Sequence, residues 1–229
     1  MAALQKNQKI RVIVTGATGM VGEGVLHECL LSPLVESVLI VNRKSAGITH
    51  PKLKEIIHQD FFDLLPINDQ LAGYNACFFC LGVSSVGMKE DEYFKKTYTL
   101  TMHFAETVSS VNKDMVFDYV SGAGTDSTEK GGTMWARVKG KTENDLAKLP
   151  FKKVYAYRPG VMKATEGAKN QPKLYKYLGW LYPIIAAIAP GSACTLKEVG
   201  LSMINLMYVD YPTHIITPND IKQLAKEKV

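Results

Sequence analysis

At 229 residues, with 46% hydrophobic and 21% charged side chains, the chain can fill a sizeable core in one α/β domain and has the balance of an ordinary globular protein. Its 27 basic and 22 acidic residues leave a formal charge of +5, but the lysines are scattered, which argues against a nucleic-acid partner. No apolar run reaches membrane-span length and residues 1–9 lack the apolar stretch of a signal peptide, so a cytoplasmic location is expected and membrane attachment is not.

The stretch Ile10 to Gly22, IRVIVTGATGMVG, reads as a strand through Val12-Ile13-Val14, a turn, and a helix from Met20 to Leu31 that stops at Pro33. Strand, glycine turn and helix together aim free backbone N–H groups and the positive helix end at a phosphate. Gly16 permits the tight turn around Thr18, Gly19 lets the backbone approach a pyrophosphate, and Gly22 lets helix and strand pack closely. A second strand, Ser37 to Val41, ends at Asn42-Arg43-Lys44. An acid there would hold the ribose hydroxyls of NAD and repel a 2′-phosphate, whereas the Arg43 guanidinium matches that phosphate, so NADP is expected ahead of NAD.

A weaker strand, Leu53 to His58, leads to Asp60 and Phe61, and a fourth, Ala76 to Leu81, ends at Gly82. Small residues after it would let the chain pass close to a cofactor. Cys77 and Cys80 form a CxxC inside that run, but residues three apart on a strand point to opposite faces, so they read as buried apolar side chains rather than a metal or redox pair. The five histidines show no metal-ligand spacing, and no metal is expected. A long helical pattern covers Glu90 to Val111, a fifth strand covers Met115 to Val120 and ends at Ser121, and a helix follows over Thr133 to Lys148. The sixth strand, Val154 to Tyr157, ends at Arg158-Pro159-Gly160-Val161. Such alternation demands a doubly wound parallel sheet, here one domain over residues 1–229 with 162–229 contributing a small C-terminal lobe. Within that lobe Lys173 to Pro190 is aromatic and aliphatic, read as a pocket lid or homodimer surface; helices are expected over Leu196 to Tyr208 and from Pro218.

The TGATGMVG turn, the WARVK segment from Trp135 to Lys139 and the RPG tripeptide, in that order, resemble the extended and atypical short-chain dehydrogenase/reductases, including NmrA-like and epimerase-like members. The resemblance implies a Rossmann fold and an NAD(P) cofactor. It implies that Asp60 and Phe61 meet the adenine, with a turn or helix-cap role for Asp60 as the other reading, that Leu81 and Gly82 pass close to the cofactor, and that the backbone at Arg158 to Val161 lines the nicotinamide. It places Lys139 at the family lysine and Ser121 at the family serine, but the catalytic tyrosine position holds Trp135, whose indole N–H cannot shuttle a proton. Tyr98, Tyr119 and Tyr157 are the candidate replacement acids, but Tyr119 and Tyr157 lie within expected strands and read rather as core. Two functions remain open: an NADP-dependent oxidoreductase or epimerase-like enzyme acting on a small molecule, or a non-catalytic NAD(P) sensor working through partners.

Overall fold

The computed structural model describes residues 3–165, 167, 169–170 and 182–229. Seven parallel strands form one sheet in the order β3-β2-β1-β4-β5-β6-β9. In chain order these are β1 (Ile10–Thr15), β2 (Val35–Asn42), β3 (Leu53–Ile57), β4 (Ala76–Phe79), β5 (Val116–Val120), β6 (Lys153–Tyr157) and β9 (Ile215–Ile216). β7 (Val161–Lys163) and β8 (Ala193–Thr195) pair separately as a two-stranded sheet.

Side chains alternate across the sheet, as the pleat requires. Val12, Val14, Val38, Ile40, Ala76 and Phe78 enter one apolar cluster, while Ile13, Leu39, Val41, Cys77 and Phe79 enter the other. The first cluster is closed by α1 (Met20–Leu31), α6 (Leu196–Leu206) and α7 (Pro218–Leu224), the second by α3 (Leu100–Val111) and α4 (Met134–Leu146). Both faces are therefore covered, which is why the strands read as continuous apolar runs. Each fully buried valine, leucine or isoleucine stabilises this arrangement by about 1.5–3 kcal/mol. Cys77 and Cys80 lie against opposite clusters, and all four cysteines are free thiols.

The expected helix over 90–111 is α2 (Glu90–Phe94), a π turn (Lys95–Thr99) and α3. β4 stops at Phe79, because Cys80 and Leu81 leave the ladder to pass over the glycine turn. Parts of the expected C-terminal lobe, 162–229, pack on the main sheet and its helices. α6 packs on α1, with Gly24 of α1 against Leu196 and Gly200 of α6 against Glu28, and β9 extends the main sheet beside β6. β7 and β8 form their own small sheet, with Cys194 of β8 buried in the first cluster, Met162 of β7 packed against it, and α5 (Tyr182–Ile188) beside them. Residues 173–181 of the expected lid lie outside the described residues.

Candidate functional site

The carboxyl end of β1 delivers Gly16 at φ +69°, and a Cβ there would lie 2.7 Å from the Cys80 carbonyl oxygen. Gly16 is thus required both by its left-handed conformation and by the close passage of the β4 extension. Gly19 caps α1, its N–H bonded to the Gly16 carbonyl at 2.9 Å. Gly22 lies one turn into the helix, where a Cβ would stand 2.2 Å from the Gly16 oxygen. The glycines therefore press the start of α1 against the turn, at the point between β1 and β4 where the strand order reverses. Ligands of open α/β sheets bind at such points.

Cavities open on both sides of the turn. One, of about 420 Å³, is lined by Gly16, Thr18, Val41, Asn42, Arg43, Lys44, Gln59, Phe61 and Leu81. Glu55 of β3 fastens the loop that carries Arg43: its carboxylate accepts the Ser45 hydroxyl at 2.6 Å, the Ala46 N–H at 2.8 Å and the Asn42 side-chain amide at 3.2 Å. Partial burial raises the Glu55 pKa, but these hydrogen bonds outweigh it and hold the carboxyl below its ordinary value. Gln59 Nε2 adds a bond to the Arg43 carbonyl at 2.5 Å. Asp60 is not part of this lining. Its Oδ1 accepts the Phe62 N–H at 2.9 Å, the turn reading of that residue, while Phe61 is buried and lines the cavity.

The larger cavity, about 730 Å³, runs from Gly19 and Met20 past Cys80, Gly82 and Ser84 to Ser121, Trp135 and Lys139, with Pro159, Gly160, Val161, Met162 and Ser192 opposite. Lys139 and Trp135 are one helical turn apart on α4. The loop before α4 packs so tightly that a Cβ on Gly140 would be 1.8 Å from the Asp126 carbonyl oxygen. The Lys139 ammonium donates to the Ser121 carbonyl, and burial pushes its pKa down to about 8 against the opposing pull of Glu143.

Ser121 lines the cleft but its hydroxyl is engaged by Glu143, and Arg158, whose backbone was expected to line the nicotinamide with that of Pro159 to Val161, is not among the lining residues. The Ser121 hydroxyl donates to the Glu143 carboxylate and is 3.1 Å from the Tyr157 carbonyl; Arg158 Nε lies 3.1 and 3.2 Å from the two Glu143 oxygens. Arg158 also donates through Nη2 to Glu143 and to Ser127. Glu143 thus holds the serine and the arginine together behind the cleft. A carboxylate one turn beyond Lys139 was visible in the sequence, but nothing there tied it to residues 22 and 15 positions away. Nor are the tyrosines at hand: Tyr98 donates to Asp145 at 2.8 Å, and Tyr119 and Tyr157 are core. Met162 and Ser192 come to the cleft only through the β7–β8 pair, which neither short run announced. Among the described residues no His, Cys, Asp and Glu cluster could hold a metal ion.

No protein-family profile matches the chain. It is 24% identical over 159 residues to the rat protein HTATIP2, covering 69% of this chain and 64% of that protein. It is 26% identical over 151 residues to the mitochondrial protein FMP52-1 of Scheffersomyces stipitis, covering 65% of this chain and 66% of that one. The chain thus spans just under two thirds of the length of these relatives. The names of the fungal relatives correct the expected cytoplasmic location, since they are called mitochondrial. No helix among the described residues is long and apolar enough to cross a membrane. Among solved structures, a UDP-N-acetylglucosamine 4-epimerase from Methanobrevibacter ruminantium superposes with a TM-score of 0.64 at 16% identity, covering 94% of this chain and 81% of that one. A short-chain dehydrogenase from Burkholderia cenocepacia in complex with NADP gives 0.63 at 13% identity, covering 94% and 92%. With its glycine turn and strand order, the chain has the Rossmann fold seen in that epimerase and that dehydrogenase.

Proposed function

We propose that the chain binds NADP along the two cavities and acts as an oxidoreductase or epimerase-like enzyme on a small carbonyl or alcohol compound. The observation that carries this reading is that Arg43 lines the same cavity as Gly16 and Thr18, while the neighbouring cavity runs from Gly19 to Lys139. The residues fit the cofactor: the start of α1 offers amides to a pyrophosphate, and a Cβ at Gly22 would fill the space that sets the turn. Arg43 and Lys44 would hold the 2′-phosphate, with Phe61 against the adenine. Pro159, Gly160 and Val161 would wall the nicotinamide, and Lys139 would hold its ribose. When bound, NADPH supplies hydride to a carbonyl carbon.

A non-catalytic sensor is the second reading. It draws on Trp135 standing where a proton-donating tyrosine would, and on the Ser121 hydroxyl being committed to Glu143. Purified protein titrated with NADPH, then followed for its oxidation by aldehydes, ketones and quinones, separates the two. Binding with turnover supports the enzyme, binding without turnover supports the sensor, and no binding overturns both.

A further inference from the structure

We propose that the Lys139 side chain itself donates the proton to the substrate oxygen in this cleft. The proposal rests on the reading of the cleft as a reductase site.

It follows from what the described lining offers. A carbonyl that accepts hydride needs an acid beside its oxygen, and among the side chains lining the larger cavity only Lys139 and Cys80 titrate. Burial pushes the Cys80 thiol up, away from any use near neutral pH. Trp135 has a donor but no acidity. The Ser121 hydroxyl is spent on Glu143, and the hydroxyl of Tyr98 is spent on Asp145. Tyr119 and Tyr157 are enclosed in the core.

Lys139 has the placement for the role. Its ammonium carries three donors, and one is taken by the Ser121 carbonyl, which fixes the Nζ at the cleft wall. Among the described residues, Glu143 on its own helix attracts its charge, the Ser121 carbonyl at the end of β5 accepts from it, Cys80 at the end of β4 lines the same cavity, and Arg158 at the end of β6 pairs with Glu143. Burial outweighs the pull of Glu143, a carboxylate that Arg158 also engages, and the ammonium is acidic with a pKa of about 8. An acid in that range is matched to proton transfer near neutral pH.

The step balances. NADPH delivers hydride, two electrons and a proton's mass, to the carbonyl carbon; the C=O π pair moves to oxygen; and an N–H bond of Lys139 breaks as an O–H bond forms. The neutral amine then takes a proton from water. The carbonyl is reduced to an alcohol and the dinucleotide is oxidised.

Two measurements test it. Acetic anhydride labelling read by mass spectrometry, from about pH 6 to 11, should give Lys139 a reactivity midpoint near 8, well below the ordinary lysine value of about 10.4. In NADPH-dependent aldehyde reduction, wild-type turnover should fall as pH rises through that midpoint. Lys139→Arg keeps a cation for the ribose but gives up no proton in this range. It should bind NADPH within about threefold of wild type and yet turn over at least ~100-fold more slowly. Turnover of Lys139→Arg within about threefold of wild type, or a Lys139 labelling midpoint at the ordinary lysine value of about 10.4, overturns the proton role and leaves the reductase reading standing. A wild type that binds NADPH and reduces no aldehyde, ketone or quinone defeats the reductase reading, and the proton role with it.

Discussion

Gly22→Ala sets two effects against each other. Inside α1 the substitution should gain about 1 kcal/mol in helix propensity. The added Cβ, however, would stand 2.2 Å from the Gly16 carbonyl oxygen, 2.5 Å from its carbon and 2.9 Å from the Ala17 nitrogen, where ordinary contact begins at 3.4 Å. All three neighbours are backbone, so no flexible side chain can yield, and the turn must withdraw by roughly 1 Å at a cost of about 1–3 kcal/mol. The clash offsets or exceeds the helix gain, leaving a stability loss of about 0–2 kcal/mol. Binding should suffer more, because the displaced backbone is the surface that meets the pyrophosphate. NADPH affinity should fall at least about tenfold, equivalent to ~1.4 kcal/mol. Urea denaturation reads the first effect and fluorescence titration with NADPH the second. Gly132→Ala, where a Cβ meets open space, is the control and should change neither. A folded Gly22→Ala that binds NADPH as tightly as wild type would refute the reasoning.

Arg43→Ala should weaken NADPH by about 1.5–3 kcal/mol, roughly 10- to 150-fold, and leave NADH nearly unchanged; calorimetry with both nucleotides decides, and equal losses would remove Arg43 from the 2′-phosphate site. Trp135→Tyr should raise turnover of generic carbonyls with NADPH, most clearly above about pH 8 where Lys139 is losing its proton, as steady-state kinetics would read. Asp118 is fully buried in β5, neither carboxyl oxygen has a partner among the described residues, and burial pushes its pKa well up. The folded carboxyl stays protonated while the unfolded one ionises above about pH 4, so the folded state binds more protons and wild-type stability falls as pH rises from there. Asp118→Asn removes that slope and should be the more stable chain by on the order of 1–3 kcal/mol at neutral pH, with the gap closing toward pH 4 in urea denaturation.

What the sequence disclosed was local. Val12-Ile13-Val14 followed by TGATGMVG carries its own geometry, since strand period, glycine positions and helix start lie within thirteen residues. The parallel order of six strands followed from their alternation with helices. β9 was missed because two residues, Ile215 and Ile216, are too short a run to show a period. β7 and β8 are three residues each and pair across about thirty positions, so their register exists only in three dimensions. The same distinction divides the site. WxxxK is one helical turn and could be read directly, whereas the direction of the Ser121 hydroxyl depends on Glu143 and Arg158, which only tertiary packing brings together. Asp60 was legible in principle: an Asp two residues before a free N–H makes a turn, and it does so here.

The structure of the chain crystallised with saturating NADPH tests the central claim most directly. The account predicts the 2′-phosphate within hydrogen-bonding distance of the Arg43 guanidinium, the pyrophosphate against Gly19 at the start of α1, and the nicotinamide in the cleft between Trp135 and Val161, beside Lys139. A dinucleotide bound elsewhere, or none at all at saturation, would contradict it.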